Sequence, residues 1–207
     1  MKFVLYPSSK FKGFALSIIF TVALSGCAYL FGWDIHAPGI LSENFVQSVR
    51  SVPQRIALYL PSALLRFESH ERGGRSADPQ TYHVGEAYGP MIVEAFQEAF
   101  SEFIFLEVEP TQQLLMQYAI PYLIVVRIKK FENQVSLKGQ AISITTESVI
   151  FNQNLNAIER FESVGTSDAT KVFAKKGGPQ VNLNVAIENN IMSVVDHVQD
   201  FISQKQQ

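Results

Sequence analysis

Three groups of residues in this chain have types suited to chemistry. The first is Cys27, the only cysteine, preceded by Leu24, Ser25 and Gly26. A lone thiol has no partner for an internal disulfide, so its sulfur is left for other covalent attachment. The second is a hydrolytic set of Ser167 as nucleophile, Asp168 as orienting acid and one of His70, His83 or His197 as base. Such a set works only when base and nucleophile come within hydrogen-bond reach, and nothing in the spacing brings these together. The third is the charged stretch from Glu68 to Gly85, with His70, His83, Glu71 and Arg75. Its histidines lack the close helical spacing of a ligand pair and no cysteine assists them, so the stretch reads as a solvated loop. There is no Gly-x-Ser-x-Gly elbow, no phosphate loop, no His-Glu-x-x-His and no Gly-x-Gly-x-x-Gly behind a strand. No catalytic residue, metal ligand or cofactor is assigned.

Cys27 gains its meaning from what precedes it. Lys2, Lys10 and Lys12 lead into an apolar run from Phe14 to Gly26, interrupted by Ser17, Thr21 and Ser25 and free of acidic residues. Roughly a dozen residues suit the core of a secretory signal and fall well short of the roughly 20 that cross a bilayer as a helix. Leu24, Ser25, Gly26 and Cys27 together resemble the lipobox of bacterial lipoproteins. The resemblance implies cleavage between Gly26 and Cys27, a diacylglycerol on the Cys27 thiol and an acylated, palmitate-bearing new amino terminus. Each buried methylene of such chains stabilises anchoring by about 0.8 kcal/mol, and two or more chains make it stable. Residues 1–26 are then a leader, 27–50 a lipidated amino terminus and tether, and 51–207 a single domain. Ala28, in place of an aspartate, implies the outer membrane by the enteric sorting rule, with the domain on its periplasmic face.

Without its three leader lysines the chain carries 14 basic and 19 acidic side chains, a formal charge of −5. So mildly acidic a body is no nucleic-acid binder by bulk electrostatics. Sixteen phenylalanines and 47% hydrophobic residues provide for a core that needs no disulfide. Tyr29, Phe31 and Trp33 in the tether either sit at the headgroup level of the membrane or fold back onto the domain.

The elements follow from periodicity. Ile56, Leu58 and Leu60 alternate as in a strand, and Tyr88, Ile92, Phe96, Ala99, Phe100 and Phe103 recur at helical spacing from about Glu86 to Phe103. Ile104 to Val108 reads as a short strand and Thr111 to Tyr118 as a short helix. Tyr122 to Ile128 is a continuously apolar strand, with strand end and turn from Lys129 to Lys138. Ala141–Phe151 and Ile158–Val164 alternate again, Gly165 to Asp168 form a turn, and a second long helix starts near Leu183. The fold class is α/β (α+β): a single mixed sheet of about five strands with two long helices packed on it. On that second helix Glu188, Asn189, Asn190 and Asp196 form the polar side.

This order, carried by Arg55–Leu60, the helix to Phe103, Tyr122–Ile128, the Gly165–Asp168 turn and the closing helix, resembles envelope lipoproteins with a TolB N-terminal-like α/β domain. PelC-like and YajG-like lipoproteins are examples. The resemblance implies a noncatalytic structural, assembly or secretion accessory in the bacterial envelope, partnered by envelope proteins or by copies of itself. The alternative is a binding module carrying a small apolar or lipid ligand between the phenylalanine-rich helix and the sheet. A serine-type hydrolase stands third.

Overall fold

The computed structural model describes residues 33–72, 79–136, 139–168 and 178–205. In chain order the elements begin with β1 (Trp33–Ile35), α1 (Glu43–Ser48), β2 (Val52–Tyr59), α2 (Ser62–Leu65), β3 (Ser69–Arg72) and β4 (Pro79–Tyr82). They continue with α3 (Val84–Ala99), β5 (Phe100–Leu106), α4 (Gln112–Gln117), β6 (Tyr122–Ser136), β7 (Gly139–Asn152), β8 (Ala157–Thr166) and α5 (Pro179–Lys205). None of the helices among the described residues is long and apolar enough to cross a membrane.

Alternation along β2 sets the two layers of the core. Ile56 and Leu58 join one buried cluster, while Ala57 between them joins another on the opposite face. β2 runs parallel to β5 on one side and β6 on the other, and β6, β7 and β8 continue as an antiparallel meander. The result is the expected five-stranded mixed sheet, in the order β5-β2-β6-β7-β8. Both long helices pack on the Ile56 face, and the opposite face is covered by α4 through Leu115 and by Ile120.

Three sequence expectations move at their boundaries. α3 ends at Ala99, so Phe100 and Phe103 lie in a strand although they continue the helical spacing. Pairing of Phe100 with Val52 and of Phe103 with Ile56 overrides the local period. β6 runs on through the polar residues after Ile128 to Ser136, because β7 keeps pairing with it past a register shift between Ile128 and Lys130 and Phe131 packs on Tyr82 at 5.0 Å. Gly165 and Thr166 extend β8 where a turn was expected.

The described parts of the stretch from Glu68 to Gly85, residues 68–72 and 79–85, do not form the solvated loop expected there. β3 and β4 pair antiparallel within it, and β1 adds to β4 in parallel, making a second sheet of three strands. Tyr82 is fully buried and anchors this sheet to the β6–β7 hairpin through Gln140, which also bonds Gln80 and Asn133. Residues 33–49 are likewise part of the folded body rather than a tether. Ile35, Leu41 and Phe45 are buried, and Ser42 caps α1 while its N–H and hydroxyl donate to Glu188 at 2.7 and 2.8 Å. One helical turn earlier on α5, Asn184 accepts from the Gly39 N–H at 3.0 Å and donates to the Ile40 carbonyl at 2.8 Å.

Asn190 also departs from expectation, for it lies in the core with no exposure. Its amide nitrogen donates to the Ile144 and Ser163 carbonyls at 3.2 and 2.8 Å, and its oxygen accepts from the Thr146 hydroxyl at 3.0 Å and the Tyr88 phenol at 2.7 Å. Burial holds the Tyr88 phenol above its ordinary range, so it stays a donor. Beside it α5 approaches β8 so closely that a Cβ on Gly165 would stand 2.2 Å from the Ala186 carbonyl. Asn190→Ala removes four buried hydrogen bonds and is expected to cost about 3 kcal/mol in urea unfolding, against less than about 1 kcal/mol for exposed Asn189→Ala.

Candidate functional site

Strand register assembles a polar cluster at one end of the small sheet. Ile35 pairs with Tyr82 in parallel, and the His83 N–H donates to the Ile35 carbonyl at 3.1 Å, so His36 and His83 stand side by side one step beyond the pairing. Their rings stack with centroids 4.1 Å apart and planes 6° from parallel, close to the spacing of neighbouring strands. In the antiparallel pair Ser69 opposes Tyr82, which sets Glu68 opposite His83. Its carboxylate lies 3.1 Å from His83 Nδ1. Asp34, two residues before His36 and on the same face of β1, reaches within 3.6 Å of His83 Nε2.

The fifth member comes from the first turn of α3. Gly85 fixes where that turn starts, since its N–H donates to the Phe67 carbonyl and a Cβ there would meet the Leu64 carbonyl oxygen at 2.2 Å. Glu86, three residues after His83, then places Oε2 2.8 Å from His36 Nδ1 and Oε1 3.9 Å from His83 Nδ1. The His83 side chain is 15% exposed, and neither ring nitrogen makes a well-formed hydrogen bond although both are shut off from solvent. Two imidazoles and three carboxylates thus converge, with acceptor atoms outnumbering donors. Such a set can hold a proton or a cation.

The expected chemistry of the other residues does not assemble. Ser167 is buried, and its hydroxyl accepts from the Ile142 N–H at 2.9 Å, closing the end of β8 onto β7. Among the described residues no hydrogen bond joins it to a histidine. His70 contacts the Thr81 hydroxyl at 3.1 Å, and His197 stacks on Phe161 at 3.7 Å, with Nε2 3.7 Å from Glu159. The ligand slot expected between α3 and the sheet is filled by side chains, since Phe96 and Phe100 are buried and pack together at 5.6 Å. Gly26, Cys27, Tyr29 and Phe31 lie outside the described residues, and Trp33 opens β1 half exposed. On the opposite face of the sheet Val108, Met116 and Tyr118 are exposed around recesses near α4, one of about 390 Å³.

Sequence reasoning missed His36, because it lies 47 positions from His83 and only strand pairing joins them. A readable signal did exist in His83 and Glu86, three apart at the start of a helix, where side chains at i and i+3 share a face.

No family model matches the chain, and no curated protein matches it. Solved structures resemble it over most of its length. The protein CT253 from Chlamydia trachomatis is 8% identical with a TM-score of 0.46, covering 73% of this chain and 98% of its own. A PelC dodecamer from Paraburkholderia phytofirmans is 10% identical with a TM-score of 0.36, covering 72% and 94%. Lipoprotein GNA1162 from Neisseria meningitidis is 6% identical with a TM-score of 0.32, covering 74% and 98%.

Proposed function

We propose that this chain is a bacterial lipoprotein, held by acyl chains on Cys27 at the periplasmic face of the outer membrane, and that it serves there as a noncatalytic accessory of envelope assembly or transport. The observation that carries the reading is the run Leu24, Ser25, Gly26 and Cys27 behind a basic and apolar leader. The distance along the chain supports it. Trp33 already belongs to β1, so six residues at roughly 3.5 Å each leave at most about 20 Å between the anchor and the folded body. The small sheet therefore lies close to the bilayer, and half-exposed Trp33 rests with Tyr29 and Phe31 at the headgroup level. An accessory role agrees with a Ser167 hydroxyl engaged in the β7–β8 pairing and with a helix–sheet interface already filled by phenylalanines. Its work is done through contacts with envelope proteins or with copies of itself.

Cys27→Ser is expected to abolish palmitate labelling and membrane fractionation and to leave the leader attached. If that variant were still processed, labelled with palmitate and recovered in the membrane fraction, the anchor reading would be wrong. For the interfacial aromatics, the emission of Trp33, the only tryptophan, should shift to the blue when lipid vesicles are added to the protein. An unchanged spectrum would place this residue away from the headgroups. Cross-linking in intact envelopes from a photoreactive residue at Tyr118 should trap an envelope protein or a second copy of the chain, whereas a chain that stays uncross-linked from there and from Met116 would argue against contact through this face.

A further inference from the structure

We infer that His36, His83 and Glu86 bind a divalent transition-metal ion of the zinc class at the end of the small sheet. A ring nitrogen of each histidine and a carboxylate oxygen of Glu86 all lie within 4.8 Å of one another. A tetrahedral ion at about 2.1 Å from each ligand holds its ligand atoms about 3.4 Å apart. The present separations, 2.8 Å from Glu86 Oε2 to His36 Nδ1 and 3.9 Å from Glu86 Oε1 to His83 Nδ1, fall on either side of that value, so turning the His36 ring out of its stack on His83 and rotating the Glu86 carboxylate would bring one donor of each residue to the ion. Two exposed members, His36 and Glu86, have room for those rotations.

The chemistry of the donors selects the ion. Two imidazoles with carboxylate oxygen form a borderline N and O set, which suits zinc and its neighbours and not the all-oxygen preference of calcium or magnesium. His83 is held by backbone pairing, with both nitrogens shut off from solvent and lacking well-formed hydrogen bonds. Such a group calls for a partner. Asp34, 3.6 Å from His83 Nε2, is placed to orient that ring as an outer carboxylate through the nitrogen the metal leaves free, and Glu68 adds a further negative charge at 3.1 Å from Nδ1. With neutral imidazoles, three carboxylates around two stacked rings leave the cluster anionic, and a doubly charged cation relieves that repulsion.

The inference does not depend on the anchor at Cys27. Its test is calorimetric titration of Zn²⁺ into the full-length protein purified in detergent near neutral pH, repeated with Co²⁺ while recording the visible spectrum. A single saturable site is expected, with the intense d–d bands of a four-coordinate cobalt ion. Loss of an outer partner weakens metal sites about ten- to a hundredfold, so His36→Ala and Glu86→Gln should each weaken binding by at least that much. Both positions are exposed, and circular dichroism checks that the variants stay folded. His197→Ala, at the other histidine–carboxylate pair, should leave the affinity unchanged. Absence of saturable binding, affinity untouched in His36→Ala and Glu86→Gln, or loss of binding in His197→Ala would each overturn the assignment.

Discussion

The structure hangs on one buried amide. Asn190 satisfies the Tyr88 phenol of α3, the Thr146 hydroxyl and Ile144 carbonyl of β7, and the Ser163 carbonyl of β8, so both long helices and two strands meet at a single side chain. A polar group with no exposure costs least when every valence is used, and for the Asn190 amide all are. The close approach at Gly165 is the steric counterpart, because only the absence of a side chain on β8 lets α5 come near enough for the amide to reach. Replacing either residue alone would spoil what the other is there for.

The same helix explains a compositional oddity. Four asparagines crowd into residues 182–190, although asparagine is a poor helix former. Each has a tertiary task. Asn182 donates to the Gln140 carbonyl, Asn184 holds Gly39 and Ile40, Asn189 donates to the Thr166 carbonyl and Asn190 sits in the core. The helix is therefore built as a bracket with amide hooks on several sides, and the hydrophobic stripe through Leu183, Ile187, Ile191 and Val194 supplies the burial that holds it down.

Much of the main sheet was legible because β2, β7 and β8 alternate and β6 is a continuous apolar run, whereas the start of β5 carries a helical spacing. Ile56 and Leu58 announce β2, and the alternating residues of β7 and β8 announce the meander. What stayed hidden was whatever depends on pairing between distant segments. The small sheet draws two strands of four residues from a polar stretch whose one fully buried aromatic is Tyr82, and a third of three residues from Trp33–Ile35, too little for a window of hydrophobicity to register. The histidine cluster is hidden for the same reason, since it exists only through the register of β1 against β4. Asn190 was misplaced because a pattern of polar and apolar letters cannot tell a solvated amide from one whose partners are supplied by other strands. Residues 33–49 read as a tether because Ile35, Leu41 and Phe45 are scattered without a period, each filling a gap between elements that come much later.

That last feature orders events in time. The grip of Asn184 and Glu188 on residues 39–42 spans about 145 positions of sequence, joining a segment near the start of the described residues to α5, the last described element. Contacts of such separation form late, after the loop between them has been gathered up. A chain emerging amino terminus first must hold residues 39–42 loose until α5 is complete and docked on the sheet. During that interval these residues stay accessible, and they become part of a rigid surface only when the far end of the chain has arrived.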